Sequence, residues 1–349
     1  MRPAKAYVRI ITALLLLLFC LPFSLISCKD NSEPNVNNRV FYDYFDTVCV
    51  FYDYTGMDTE KFNALSKSVE AAIGHYHRLF DIYHEYDGIN NIATVNRLAG
   101  HGSVEVSREL IELLLFSKEM HTLTGGKVNV AMGSVLSLWH TFRYSADNEK
   151  RIPTSEELSE AGKHISFDSI IIDEEKSTVE ITDPEASIDV GAIAKGYTAE
   201  LIKRELASEG YSGLVLDLGG NLCAVGEKPN GDGWKSGIKN PLYPDSSEEP
   251  YVRAVTLKNA SLVTSGVYER YYVVDGIRYH HIIDPVTLMP ENRYLSVTVQ
   301  ADHSGLSDAL STAIFNMDYD EAEKLVSELN GVEVTLVFGD GTYKVLTSK

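Results

Sequence analysis

Hydrophobic positions along the chain change period several times, and the changes mark out its elements. From Val40 to Tyr54 (VFYDYFDTVCVFYDY) apolar and polar residues alternate as in a half-buried strand. The spacing then lengthens to three and four at Phe62, Leu65, Val69, Ile73, Tyr76, Leu79 and Phe80, which predicts a helix from Asp58 to about Tyr86. Ser107 opens another helix through Leu110, Ile111, Leu114 and Leu115, and Thr154-Ser155-Glu156-Glu157, just after Pro153, is a capping box. Strands are predicted at Ile170–Asp173, Thr178–Thr182, Leu214–Leu218 and Arg253–Leu257, with hairpins turning at Asp275-Gly276 and Asp340-Gly341. Two further helices cover about Leu306–Phe315 and Tyr319–Leu329, the second opened by a capping-box pair at Asp318 and Glu321. There is no internal repeat. The Pro- and acid-rich stretch Asn240–Pro250 reads as a surface loop, because strands resume at once after it. Helices gather early and mix with strands later, which predicts an α+β architecture: a single mixed α/β domain.

The first residues follow a different pattern. Arg2, Lys5 and Arg9 precede an apolar run from Ile10 through Leu18 and Phe19, which Pro22 interrupts. The run is short for a membrane span and reads as a secretory signal. It ends in Leu25-Ile26-Ser27-Cys28, which resembles a bacterial lipobox, so cleavage before Cys28 and lipidation of its thiol are expected. Residues 1–27 are then a lipoprotein signal peptide, 28–39 a lipidated Cys with a flexible tether, and 40–349 the folded domain. The expected location is the bacterial cell membrane, lipid-anchored and facing outside the cytoplasm. Cys20 leaves with the signal. Cys49 and Cys223 remain, both in apolar strand-like runs that favour buried thiols, with their pairing left open.

Charge narrows the choice of partner. The chain has 31 Lys+Arg against 50 Asp+Glu, a formal net charge of -19, and loss of the signal removes three cations and no acid. So acidic a chain is a poor match for nucleic acid, which clustered Lys and Arg bind. An anionic ligand would need local compensation by a metal, a helix N-terminus or a placed Lys.

Four clusters offer such chemistry. Ile188-Asp189-Val190-Gly191-Ala192-Ile193-Ala194-Lys195-Gly196 reads as a short strand, a turn and a helix running to about Glu209-Gly210. Its first turn would present free N–H groups and the Lys195 charge to an anion, although a plain turn has the same look. Leu216-Asp217-Leu218-Gly219-Gly220-Asn221 ends a strand in paired glycines, suited to close approach of a ligand or to a bulge. Tyr279-His280-His281-Ile282-Ile283-Asp284-Pro285 places two histidines on opposite strand faces, so only one can enter a given site, as a general base or as a structural residue. In Ser307-Asp308-Ala309-Leu310-Ser311-Thr312-Ala313, Asp308 and Thr312 share a helix face and offer hard oxygen ligands suited to Mg²⁺; a helix acid beside a neutral Thr is the plainer reading.

In this order the four clusters resemble the FAD:protein FMN transferase (ApbE-type) family. The resemblance runs from about Phe45 to Phe338 and takes in Phe45-Asp46-Thr47, Phe80-Asp81-Ile82-Tyr83, Asn96 and the stretch Gly126–Trp139. It implies an ApbE-like, T-fold-related fold and a Mg²⁺-dependent transfer of FMN from FAD to a Thr or Ser hydroxyl, with release of AMP. By resemblance, Asp308, Thr312 and the backbone oxygen of Ala192 would bind Mg²⁺, with Ser311 close by. Asp189, Lys195, Phe45, Tyr83, Ala131, Met132, Gly133 and Ile283 would contact FAD, and His281 would be the base. Implied partners are exported flavin-accepting proteins, such as FMN-binding subunits of sodium-pumping quinone reductases and Rnf-type complexes. The chain departs from the family pattern in two places: Leu288-Met289-Pro290 follows Thr287 where Thr-Gly is usual, and the Asp-Pro-Thr that usually precedes Gly133 is missing. Sequence leaves open two rivals, a Mg²⁺-dependent FAD pyrophosphatase giving FMN and AMP, and a non-catalytic FAD-binding lipoprotein.

Overall fold

The computed structural model describes residues 36–146, 150–243 and 249–349. The signal, the lipobox at Cys28 and residues 28–35 of the expected tether lie outside the described residues; the end of that tether is already strand, from Asn37 on. The described chain begins β1 (Asn37–Tyr44), β2 (Thr47–Asp53), α1 (Thr59–Phe80), α2 (Ile92–Arg97), β3 (Val104–Glu105), α3 (Arg108–Leu123), α4 (Gly133–Tyr144) and α5 (Ser155–Ala161). It continues through β4 (Ile170–Asp173), β5 (Thr178–Ile181), α6 (Ala194–Ser208), β6 (Leu214–Leu218), β7 (Asn221–Val225), β8 (Trp234–Lys239) and β9 (Tyr251–Leu257). Then follow β10 (Ser261–Gly266), β11 (Tyr271–Val274), β12 (Ile277–His280), β13 (Ser296–Ala301), α7 (Ser304–Phe315), α8 (Tyr319–Glu328), β14 (Glu333–Val337) and β15 (Tyr343–Thr347).

Eight strands in the order β1-β2-β6-β7-β10-β13-β14-β15 make one antiparallel sheet. Strand alternation sorts its side chains between two cores. Leu214, Leu216 and Leu218 pack with Phe51, Ile73 and Ile202 on the helical face, while Val215, on the other, meets Trp234 and Val255 of the β8–β9 hairpin. Burying each of those leucines contributes about 1.5–3 kcal/mol. Helices α6 and α7 lie side by side on the sheet, and that pairing positions the site. A satellite core of Met132, Val135, Trp139, Leu158, Tyr272 and Ile283 ties α4 to the β11–β12 hairpin.

The α+β expectation holds, and three local readings are corrected. The alternating run at Val40–Tyr54 is two antiparallel strands, because Asp43, Phe45 and Asp46 take positive φ and reverse the chain without a glycine to announce the turn. The helix expected to reach Tyr86 stops at Phe80: the Asp81 carboxylate accepts the N–H groups of Tyr83 and His84 at 2.7 and 3.2 Å and the Tyr86 hydroxyl at 2.7 Å, folding the chain back. The segment from Ile188 to Val190 forms no strand. Instead the Asn96 side chain brackets Ile188, accepting its N–H at 2.7 Å and donating to its C=O at 2.9 Å.

Cys49 and Cys223 are free and fully buried, as the apolar runs suggested. Cys49 pairs with Leu218 and Cys223 with Leu216, on opposite neighbours of β6. Two strand spacings, about 10 Å, separate them, beyond the reach of a disulfide.

Candidate active site

The site begins where α6 meets α7. At Gly196 an added Cβ would lie 2.5 Å from Asp308 Cβ and 2.5 Å from the Ser304 carbonyl oxygen, so only glycine permits this approach. The closeness lets the Gly196 N–H donate to Asp308 Oδ2 at 2.7 Å. Gly196 is the third residue of α6, where a backbone N–H has no intrahelical acceptor, and Asp308 supplies one. Asp308 is 4% exposed. Burial pushes its carboxyl above the usual range, against the pull of Lys195, the Gly196 N–H and Asn221. Asn221 begins β7 just after the tight Gly219-Gly220 turn, and its buried Nδ2 completes no hydrogen bond of normal geometry. One turn along α7, Ser311 Oγ donates to the Asp308 carbonyl at 2.9 Å and lies 2.8 Å from Ser265 Oγ, which is 3.5 Å from Thr312 Oγ1. With the Ser311 proton so used, Ser265 is the donor of that pair.

His281 follows the β11–β12 hairpin. Its Nδ1–H donates to the Arg270 carbonyl at 3.3 Å, which leaves Nε2 with a lone pair. Burial, then the positive charges of Arg270, Arg143 and Lys195, hold its pKa down to about 3. His280 faces the opposite way: its Nε2–H donates to the Glu291 carbonyl at 2.7 Å and its Nδ1 accepts from Ile282 N at 3.2 Å, so it is a satisfied core residue. The loop beyond is anchored by Asp284, 2% exposed, which pairs with Lys127 Nζ at 3.0 Å and accepts the N–H groups of Val286 and Thr287. Burial alone would raise the Asp284 carboxyl; those partners outweigh it and hold it low. Leu288, where the family pattern has Gly, sits at φ 60. A left-handed Leu costs about 1–2 kcal/mol, and it is held by a Trp139 Nε1–H bond to its carbonyl at 3.0 Å and by side-chain contact with Gly162.

Asp189 lies across the site. Its N–H donates to Val130 O at 2.7 Å and its Oδ1 accepts the Gly191 N–H at 2.8 Å. Burial raises its carboxyl, opposed by Gly191 and by the charges of His140, Arg143 and Arg270. Gly133 packs on Ser187 so closely that a Cβ would fall 2.6 Å from the Ser187 carbonyl oxygen. Ala131, Met132 and Ile283 are buried, and the N–H groups of Ala131, Met132 and Gly133 are already taken by Asn129 Oδ1, the Asn129 carbonyl and the Ser187 carbonyl. Tyr83 is 54% exposed with its hydroxyl 3.3 Å from His140 Nδ1. Phe45 stacks edge-on against His77, while the Arg270 guanidinium reaches the Phe45 and Asp46 carbonyls. Lys195 lies near enough to lower the pKa of both Asp308 and His281, and Arg143 and Arg270 act on both Asp189 and His281. The elements thus converge on one acid, base and cation cluster.

Residues 47–336 match the ApbE family. The chain belongs to that family. A FAD:protein FMN transferase of Treponema pallidum is 34% identical over 264 residues, covering 71% of each chain. A protein of the same name from Haemophilus influenzae is 29% identical over 281 residues, covering 80% of this chain and 77% of the other. Among solved structures, the ApbE protein of Thermotoga maritima superposes with a TM-score of 0.77 at 26% identity, covering 89% of this chain and 97% of its own. The flavin transferase ApbE of Vibrio cholerae, at 22% identity and a TM-score of 0.74, shows the same fold. This ApbE-family chain is accordingly an enzyme that transfers flavin from FAD to protein.

Sequence reasoning missed Ser265, Arg270, Arg143 and His140. Ser265 carries no motif and enters only through the pairing of β10 with β13 beneath α7. Arg143 and His140 stand on α4, whose N-terminus has no side-chain cap to mark it. Arg270 lies in the turn before β11, and only the tertiary fold brings its carbonyl to His281.

Proposed function

We propose that the chain joins the FMN half of FAD to a threonine or serine hydroxyl of an exported protein, in a Mg²⁺-dependent reaction that releases AMP. The observation that carries this reading is the Gly196 N–H bond that fixes a buried carboxylate, Asp308, at the start of α6, where Lys195 acts on it and also on His281, whose Nε2 is free. The donor set of Asp308, the Ala192 carbonyl and Thr312 is all oxygen, as Mg²⁺ requires, with Ser311 and Ser265 behind it. The buried Nδ2 of Asn221, which acts on Asp308 without completing a hydrogen bond of normal geometry, has donor capacity left for a ligand. Bound there, Mg²⁺ would offset charge on the non-bridging and leaving oxygens of the diphosphate.

The protein's own groups supply the rest. Lys195 adds a point charge from the first turn of α6. Asp189 and the segment Ala131–Gly133 orient the FAD, with Tyr83 and Phe45 as aromatic surfaces. His281 Nε2 takes the hydroxyl proton as the oxygen bonds to the FMN-side phosphorus and the bond to the AMP phosphate oxygen breaks, AMP leaving with the electron pair. Cations that depress His281 are those a diphosphate would neutralise, so the base strengthens when substrate arrives. The basic and apolar run at residues 1–28 supports export and anchoring through a lipid on Cys28, with the domain from residue 40 working outside the cytoplasm.

The test mixes the protein with FAD, Mg²⁺ and a target bearing an acceptor Thr. Fluorescence that stays with the target through denaturation, with matching AMP, is expected. AMP without labelled target would make the chain a pyrophosphatase, and neither product would leave a binding protein.

A further inference from the structure

Outside this site, Glu160, His164 and Glu185 bring one ligand atom each to within 4.8 Å of one another. We propose that these three residues form a second metal site, for a borderline divalent cation of the Zn²⁺ class, distinct from the all-oxygen centre at Asp308. Glu160 lies in the last turn of α5, His164 four residues on ends the short 3-10 turn that follows, and Glu185 belongs to the loop leading to Asp189.

Orientation of the imidazole argues for a cation. Nδ1 lies 2.7 Å from Asp183 Oδ2, and Asp183 is itself fixed by accepting the Glu185 N–H at 3.0 Å. With Nδ1–H donated to that carboxylate, Nε2 turns its lone pair toward the glutamates, the arrangement in which a carboxylate orients a metal-binding His. Nε2 is buried and makes no hydrogen bond, yet it is 3.2 Å from Glu185 Oε2. A lone pair and a carboxylate oxygen that close repel unless a cation or a proton lies between them. The proton is the competing occupant, since the Asp183 hydrogen bond favours a charged His164. Lys163, paired with Glu160, is the other nearby cation; both side chains are about 60% exposed, so this is a weak surface pair that a metal can displace. His164 is only 17% exposed, whereas Glu160 and Glu185 face solvent at 62% and 68%, leaving an open side for water to complete a four-coordinate shell. One nitrogen and two carboxylates suit Zn²⁺ better than Mg²⁺.

A metal here would tie α5 to the segment that braces Gly133 through Ser187 and then presents Asp189. The test titrates Zn²⁺ alone into chelator-stripped, tag-free protein by calorimetry. Asp308→Ala is used as the background so that the other centre does not contribute. One Zn²⁺ per chain is expected in that background, with a rise in Tm; both are lost in Asp308→Ala/His164→Ala. Asp183→Asn should weaken binding about 10- to 100-fold. If His164→Ala fails to fold, Glu185→Gln, at an exposed position, should give the same loss. Absence of saturable Zn²⁺ binding in the Asp308→Ala background, or binding unchanged by both the His164 and Glu185 substitutions, would leave a protonated ion triad and overturn the proposal.

Discussion

Gly196→Ala tests the helix contact on which the site depends. The residue lies in the first turn of α6 with ordinary helical φ, so on propensity alone alanine would stabilise the chain by about 1 kcal/mol. The structure predicts the opposite outcome for function. Contacts of 2.5 Å to Asp308 Cβ and to the Ser304 carbonyl must open by about 1 Å to reach van der Waals distance, and the Ser304 contact is backbone that cannot rotate aside. Overpacking of this kind costs about 1–3 kcal/mol, so the net effect on stability is a loss of roughly 0–2 kcal/mol. The same shift stretches the 2.7 Å bond from Gly196 N–H to Asp308 Oδ2 and moves the carboxylate relative to the Ala192 oxygen. Misplacement by about 1 Å costs on the order of 100-fold in rate. Labelling of a target protein from FAD should therefore fall about 100-fold, while the thermal melt moves down by a few degrees at most. A variant with parental labelling and a raised Tm would show that the close approach of α6 and α7 is packing without catalytic consequence.

Other outcomes follow from the same geometry. His281→Ala should retain FAD binding and lose labelling; in the parent, the acid limb of kcat/KM should fall well below pH 6.5, and that of kcat should lie higher because bound diphosphate offsets the neighbouring cations. Because the folded imidazole titrates at about 3 and the unfolded one near 6.5, its contribution to stability is complete above pH 6.5 and is lost as pH falls toward 3, so His281→Ala should flatten acid unfolding across that window. Asp308 titrates above its unfolded value, so its charge costs stability as pH rises from the unfolded pKa through the folded one; Asp308→Asn should melt no lower than the parent without Mg²⁺ at neutral pH and should lose any Mg²⁺-induced rise, and a lower metal-free melt would contradict this. The thiols of Cys49 and Cys223, pushed up to about 11 and about 12 by burial, should react with a thiol reagent only after unfolding. Palmitate labelling of cells should mark the parent and not Cys28→Ser.

Much of this chain is legible from local signals alone. The capping boxes at Thr154 and Asp318 form as their sequences imply, and the Asp275-Gly276 turn closes its hairpin with both residues at positive φ. Strand alternation predicts that only one of the two histidines enters the site, but β12 ends at His280, and it is the Glu291 carbonyl and the Ile282 N–H claiming His280 that leave His281 for the site. Where residues reverse the chain without glycine, as at Phe45 and Asp46, periodicity runs straight through the turn and reports one strand for two.

The sequence by itself determined most element types, though not at Ile188–Val190, and the buried thiols and the residue kinds in the four clusters, because each depends on neighbours a few positions away. Tertiary structure alone decided what those residues do to one another. Gly196 reads locally as a turn-tolerant residue and becomes the contact that turns a backbone N–H toward a carboxylate 112 residues distant. Ser265 and Arg270 enter the site through strand pairing and a hairpin's return, and the depressed base at His281 reflects burial and charges gathered from α4, α6 and the β11 turn. Hydrophobic period sets which face of an element is buried; which other element covers that face is a property of the packed sheet and its helices, and the chemistry of this site resides in that second choice.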